Sequence, residues 1–282
     1  MEQINFQPPF SKKERVALQQ FLYRELIRIS LLLDNNLTAP QLYGKMAALV
    51  KKARYAVNAD TDLARIEQLL AFFYQEQGFY CHHAEYYHSQ NLMLNQVLDL
   101  KRGMPVSLGA VLLQLASVLD LPLYPVNFPT QLLLRAEVTI ENGRKESRFI
   151  DLWNGTYLSF EQMEKLLEGE MGSSTSLARQ HLKIAEPSEL LERLETVLKM
   201  ALTREKKFEE TLRVIEYRLQ EQPDDPYEIR DRGMILASME CYQAAIEDLN
   251  YFIDQCPDDP SAMMLKMEIP ALEKQGKAFI IH

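Results

Sequence analysis

The chain has 282 residues, 47% hydrophobic, 25% charged and 9% aromatic, a globular composition long enough for one large domain or two modest ones, which excludes a disordered or fibrous body. Three cysteines, Cys81, Cys241 and Cys256, are too few and too scattered for a disulfide framework, so a reducing compartment is expected. Forty acids against 31 bases give a net charge of −9, and residues 187–282 alone hold 20 acids and 12 bases; direct nucleic-acid binding, which rests on clustered Lys and Arg, is not expected.

The opening segment, Met1 to Pro9, has no cationic stretch leading into an apolar one, so no signal peptide is read and a cytoplasmic location is expected. Phe10-Ser11-Lys12-Lys13-Glu14 forms a capping box behind an apolar residue, and Val16, Leu22, Leu26, Ile29 and Leu33 follow at helical spacing. Thr38-Ala39-Pro40 opens a second helix with Leu42, Met46, Leu49 and Ala53 on one side. Asp60-Thr61-Asp62 opens a third through Leu63, Ile66, Leu70 and Phe73, ending at Gly78.

A loop rich in aromatics and histidine, Phe79 to His88, precedes a short helix from Asn91 to Leu100. Pro105 starts an apolar helix running to Leu119; it contains Ser107, Gln114 and Ser117 and stops well short of the ~20 residues of a membrane span. The period then changes to that of strands in Leu123–Phe128, Gln131–Ile140 and Arg148–Trp153, with Asn142-Gly143 and Asn154-Gly155 as turns. One buried helix followed by antiparallel strands predicts an α+β domain. Helix returns from Ser159 to Glu168, and Gly172-Ser173-Ser174-Thr175-Ser176 reads as a linker. The expected domains are therefore 1–170, a linker over 171–187, and 188–282.

The last segment carries a repeat. Pro223-Asp224-Asp225-Pro226 recurs as Pro257-Asp258-Asp259-Pro260 and Phe208 recurs as Tyr242, both at a spacing of 34 residues, the period of the tetratricopeptide helix pair. Gly233, Ala245 and Pro257 stand where that repeat needs close helix packing, close packing again, and a stop. In the first copy Lys199 and Thr211 replace small residues, and Ser261 to Gln275 reads as a capping helix. Two repeats and a cap bury little alone, so Phe208, Tyr242, Phe252 and Met264 are expected to be covered and the chain to unfold as one unit.

Gly103-Met104-Pro105-Val106-Ser107-Leu108, Leu121-Pro122, Asn127-Phe128-Pro129, Leu132–Arg135 and Phe149–Gly155, followed by Glu192-Arg193-Leu194, Asp231-Arg232-Gly233, Ala245 and Asp248-Leu249, resemble in order and spacing the bacterial SirB-one family. The likeness covers about Leu63 to Glu273 and implies a papain/transglutaminase-like helix and antiparallel sheet after a helical N-terminal region, followed by an all-α tetratricopeptide-repeat domain. It also implies an active-site plan in which relatives with activity place Cys at the start of the buried helix and His and Asp on the next two strands. A helix N-terminus favours thiolate, His takes its proton and the carboxylate fixes the imidazole. Here the Cys position falls between Pro105 and Ser107, the His position on Gln131 and the Asp position on Asp151, so thiol and base are replaced.

The first functional expectation is a non-catalytic interaction or regulatory protein with no cofactor, in which Gln131, Asp151, Trp153 and Asn154 belong to a former catalytic groove and Ser107 satisfies a helix-start donor. The alternative is a residual amide or ester hydrolase or acyl transferase using Ser107 and Asp151 with a histidine from elsewhere. Cys81, His82, His83, Glu85 and His88 include zinc-type ligands, but their spacing is that of no structural zinc site, so no metal is expected. The repeats are expected to take a protein or peptide partner, with Tyr217, Arg230 and Tyr251 as contacts. Without a phosphate loop or dinucleotide fingerprint, nucleotide chemistry is not expected.

Overall fold

The computed structural model describes residues 10–140, 143–172 and 175–280, the side chains of 278–280 excepted. The Met1–Pro9 segment, Asn142 of the Asn142-Gly143 turn, and Ser173 and Ser174 of the expected linker lie outside the described residues. The chain divides into two compact units, 1–198 and 199–282. The division falls inside a helix, C-terminal to the linker expected over 171–187.

In the first unit, α1 (Lys12–Leu33), α2 (Ala39–Ala56) and α3 (Asp62–Ala71) come from the three amphipathic patterns. Ser11 caps α1 through the capping box, accepting from Glu14 N–H. Helix α3 is shorter than its pattern, because Phe72–Glu76 widens into a π turn that buries Phe72 and Phe73 and leads to Gly78. The helix expected from Asn91 is likewise a 3-10 turn over Ser89–Leu92 followed by α4 (Leu94–Leu100).

Helix α5 (Pro105–Leu119) is the centre of the unit, with twelve of its fifteen residues buried. Strands β1 (Leu123–Asn127), β2 (Leu132–Thr139), β3 (Lys145–Asp151) and β4 (Tyr157–Leu158) form one antiparallel sheet in the order β1-β2-β3-β4. Helix α6 (Phe160–Met171) packs on one face, where Met163 and Leu167 meet Val126, Leu133 and Phe149. Burial on both faces explains the unbroken Leu132-Leu133-Leu134 run in β2. Arg135 in the same strand is also buried and is held by Glu137, Leu182 O at 2.9 Å and Ser147 Oγ at 3.1 Å. A charge taken out of water needs that full set of partners.

Helix α7 (Pro187–Arg204) spans the division. The second unit continues with α8 (Phe208–Glu221), α9 (Pro226–Ser238), α10 (Tyr242–Gln255) and α11 (Pro260–Ile280). The repeated Pro-Asp-Asp-Pro has a mechanical reason. The second Asp caps the next helix and the second Pro occupies its first turn: Asp225 accepts from Tyr227 N–H at 2.9 Å and Asp259 from Ser261 N–H at 2.8 Å. The two departures from the repeat pattern are accommodated. Thr211 is buried and donates to Lys207 O at 2.8 Å; Lys199 pairs with Asp231 at 2.6 Å and Glu228 at 2.9 Å. Burial alone would lower the Lys199 pKa, but the two carboxylates outweigh it and hold it raised.

The expected covering of apolar side chains holds for Phe252, which is fully buried, but not for Met264, which is 64% exposed. Helix α11 instead turns Ala262 and Leu265, with Ile269 and Leu272, toward Leu249, Phe252 and Ile253, which leaves Met264 on the outer side. Gly233 shows why α9 and α10 need a small residue: a Cβ there would lie 3.0 Å from both Asp248 Cβ and Leu249 Cγ and 3.1 Å from Ala245 O. Gly233→Val is therefore expected to destabilise the chain by about 1–3 kcal/mol through overpacking, read as a lower urea midpoint of the full-length protein; an unchanged midpoint would show that the helices can separate freely.

Candidate functional site

Pro105 takes the first position of α5, where its missing N–H costs nothing, and Ser107 takes the third. From there the Ser107 hydroxyl turns back, accepting from Met104 N–H at 3.0 Å and lying 2.5 Å from Asn91 O and 3.1 Å from Met104 O. The side chain is fully buried, and a Cβ on Gly103 would sit 2.6 Å from its Oγ. All its hydrogen-bond partners are main-chain atoms; no imidazole is among them.

Asn91 organises the same region. Its carbonyl accepts from Ser107, its Nδ2 donates to Glu85 O and Tyr86 O at 2.6 and 3.0 Å, and its Oδ1 accepts from Arg102 Nε at 3.1 Å. The 85–91 loop is thereby fixed against the start of α5. Arg102 also pairs with Glu85, so the one carboxylate of the Cys81–His88 loop is committed. Among the described residues no group of three or more His, Cys, Asp and Glu is placed to hold a metal ion.

Gln131 lies just before β2 and Asp151 ends β3, beside each other because Leu133 faces Asp151 across the sheet. Gln131 Nε2 donates to Asp151 Oδ1 at 3.1 Å, and Trp153 N–H donates to the same oxygen at 3.0 Å. The Trp153 indole N–H in turn donates to Gln131 Oε1. Burial raises the Asp151 pKa, and the two donated hydrogen bonds only partly offset it. The Trp153 ring stacks on His83 and Tyr86, with centroids at 4.2 and 5.3 Å. These residues, with Thr130, Lys165 and Glu170, line a hollow of about 690 Å³. Asn154 also lines it, but its side chain closes its own turn by accepting from Thr156 N–H at 3.0 Å.

The structure thus brings Gln131, Asp151, Trp153, Asn154 and His83 to one hollow, while Ser107 is held in a separate buried network. Cys81 senses the same carboxylate: burial first and then the negative charge of Asp151 push its thiol up to about 12, so it is protonated at neutral pH. His88 N–H bonds Glu85 O at 3.3 Å, and His181 Nδ1 accepts from Ala178 N–H. Two positioning residues are not legible as such in the sequence: Asn91, which reads there only as a helix start, and Arg193, which enters only within the Glu192-Arg193-Leu194 likeness. The Arg193 guanidinium bonds Asn127 Oδ1, Phe128 O at 2.5 Å and Pro129 O at 3.3 Å and so holds the turn leading to Gln131.

In the second unit Tyr217, Arg230 and Tyr251 are half-buried. Arg230 lies over the rings of Tyr227 and Phe252 at 5.3 and 5.2 Å and bonds Asp231, and Tyr251 OH donates to Asp224 O at 3.4 Å.

Residues 41–196 match the family model of the transglutaminase-like superfamily, and residues 198–270 match a tetratricopeptide-repeat model. The chain is 47% identical to a UPF0162 protein of Pasteurella multocida over 83% of its own length and 87% of the relative's. It is 41% identical to a UPF0162 protein of Haemophilus influenzae, covering 91% and 94%, and 42% identical to protein SirB1 of Salmonella typhimurium, covering 77% and 79%. No solved structure matches.

The protonated state of Cys81 has a direct readout. Iodoacetamide at pH 7.5 is expected to alkylate the exposed Cys241 well before Cys81, and Asp151→Asn, by removing a charge that raises the thiol pKa, to speed the reaction at Cys81. Mass spectrometry of the labelled peptides checks both; Cys81 reacting first would contradict the assignment.

Proposed function

The chain belongs to the transglutaminase-like superfamily, in the bacterial family of SirB1 and the UPF0162 proteins, and on that premise we propose that it is a non-catalytic interaction or regulatory protein. The observation that supports this best is the closed Gln131–Asp151–Trp153 network. At the position where the family resemblance implies a histidine, Gln131 offers an amide that cannot titrate, and both ends of that amide are bonded within the site. A carboxylate fixed by an amide and a main-chain N–H has no imidazole to orient.

The nucleophile side agrees. The Ser107 hydroxyl is buried among main-chain partners without a base, and general-base assistance is worth typically ~10²–10⁴ in rate. The Cys81 thiol is held protonated. What remains is a hollow lined by Trp153, Tyr86 and His83 with polar groups at its floor, suited to holding a ligand or a chain segment rather than transforming it. The tetratricopeptide unit supplies the second binding element, and such helix pairs present surfaces to partner peptides. Tyr217, Arg230 and Tyr251 are its proposed contacts. A cytoplasmic site of action accords with three free cysteines and with the finding that no helix among the described residues is long and apolar enough to cross a membrane.

The test has two arms. Activity-based probes for serine and cysteine acyl transfer are expected to leave Ser107 and Cys81 unlabelled in the native protein. A partner recovered by the full-length chain from cell extract is expected to be lost on Arg230→Glu with Tyr251→Ala. Probe labelling abolished by Ser107→Ala, with a histidine mutation doing the same, would replace this reading with the hydrolase or acyl-transferase alternative.

A further inference from the structure

A second cleft lies between α1, α2 and the solvent-reaching positions of α5, with a volume of about 720 Å³. That is the scale of small-molecule sites, which helical bundles commonly place between helices. Three cations, Arg24, Lys51 and Arg54, line it together with three phenols, Tyr23, Tyr43 and Tyr55, and no acidic residue lines it.

Among the described residues, most cations of the first unit with a hydrogen-bond partner are neutralised by a carboxylate. Elsewhere in the first unit Lys12, Arg15, Arg28, Lys45, Arg65, Arg102 and others sit on carboxylates. Among the described residues Arg24 bonds the Gln20 amide oxygen, at 2.6 Å, and no carboxylate, and Lys51 and Arg54 have no ion-pair partner. In a protein of net charge −9, three cations lining one cleft without a carboxylate form a local positive site.

The remaining lining adds shape and polarity. Tyr43 and Tyr55 are 55% and 75% exposed, offering ring faces on which a flat group can stack. Tyr23 is buried up to its phenol, whose pKa is pushed up to about 12 by burial and then by Tyr43, so it stays a neutral O–H donor. On the α5 side, Gln114 brings an amide to the cleft with its Oε1 buried and unpartnered. A buried acceptor without a donor is costly, and a half-turn of the amide exchanges its oxygen and nitrogen.

We infer that this cleft is a binding site for a small aromatic phosphate, with its flat ring against the tyrosines and its anionic group held by Arg24, Lys51 and Arg54. Arginine and lysine supply charge-assisted hydrogen bonds to phosphate, and neither needs a glycine-rich loop to do so. The site involves no residue of the Gln131–Asp151–Trp153 network and stands whether or not that network is inert.

Calorimetric titration of the full-length protein with AMP as the probe, beside adenosine and inorganic phosphate, tests it. The expected result is saturable one-to-one binding of AMP, at least about tenfold tighter than either half alone and weakened by added salt. Lys51→Glu with Arg54→Glu is expected to lower AMP affinity at least about tenfold, and Tyr55→Ala to weaken AMP more than phosphate, whereas Lys13→Glu with Lys266→Glu, an equal charge change outside the cleft, leaves it unaltered. Circular dichroism confirms that the variants fold. Failure of AMP to saturate at millimolar concentration would overturn the inference, as would AMP binding no tighter than phosphate, or an affinity indifferent to the Lys51 and Arg54 reversals.

Discussion

Burial of α5 is the constraint on which the first unit depends. Only Gln114, Ser117 and Val118 of its fifteen residues escape full burial, so the polar groups at its start cannot be left to water. An unpaired buried donor or acceptor costs roughly 1–3 kcal/mol. Pro105 removes one donor from the problem and the Ser107 hydroxyl answers another, at the Met104 N–H. The same hydroxyl reaches Asn91 O, and Asn91 fixes the loop that brings His83 and Tyr86 to Trp153. Packing of one helix therefore sets the loop on the far side of the hollow.

A nucleophile has to be reachable and close to a base; a helix-start serine among carbonyls is neither. Across the hollow, the neutral Gln131 amide bridges carboxylate and indole, and each of the three groups satisfies the next. Those hydrogen bonds hold the end of β3 against the start of β2. The resulting hollow is lined by Trp153, Tyr86 and His83 beside that network.

The sequence made the element order legible because each element carries its own local signal: the capping box at Ser11, the prolines at 40 and 105, the Leu132–Leu134 run, the repeated Pro-Asp-Asp-Pro. Where it misled, the cause was tertiary. The helical pattern through Phe73 does not encode a π turn, which serves to bury Phe72 and Phe73, and Met264 ends outside because Leu265 claims the inner face of α11. Gln131 and Asp151 could be placed through the family resemblance, but their bonding through Trp153 depends on strand register. Asn91 acts chiefly through its position near Ser107, sixteen residues on, and the Arg24–Lys51–Arg54 cleft draws on separate helices, so neither leaves a motif.

The claim at the centre of this account is that Ser107 is a structural hydroxyl. Urea denaturation of Ser107→Ala, with far-ultraviolet circular dichroism as the probe, tests it most directly. Loss of the acceptor for Met104 N–H and of the link to Asn91 is predicted to destabilise the protein by about 1–2 kcal/mol, with an unchanged denaturant slope. A variant as stable as the native chain would contradict the account, because a hydroxyl that can be removed from a buried helix start without cost is not holding it.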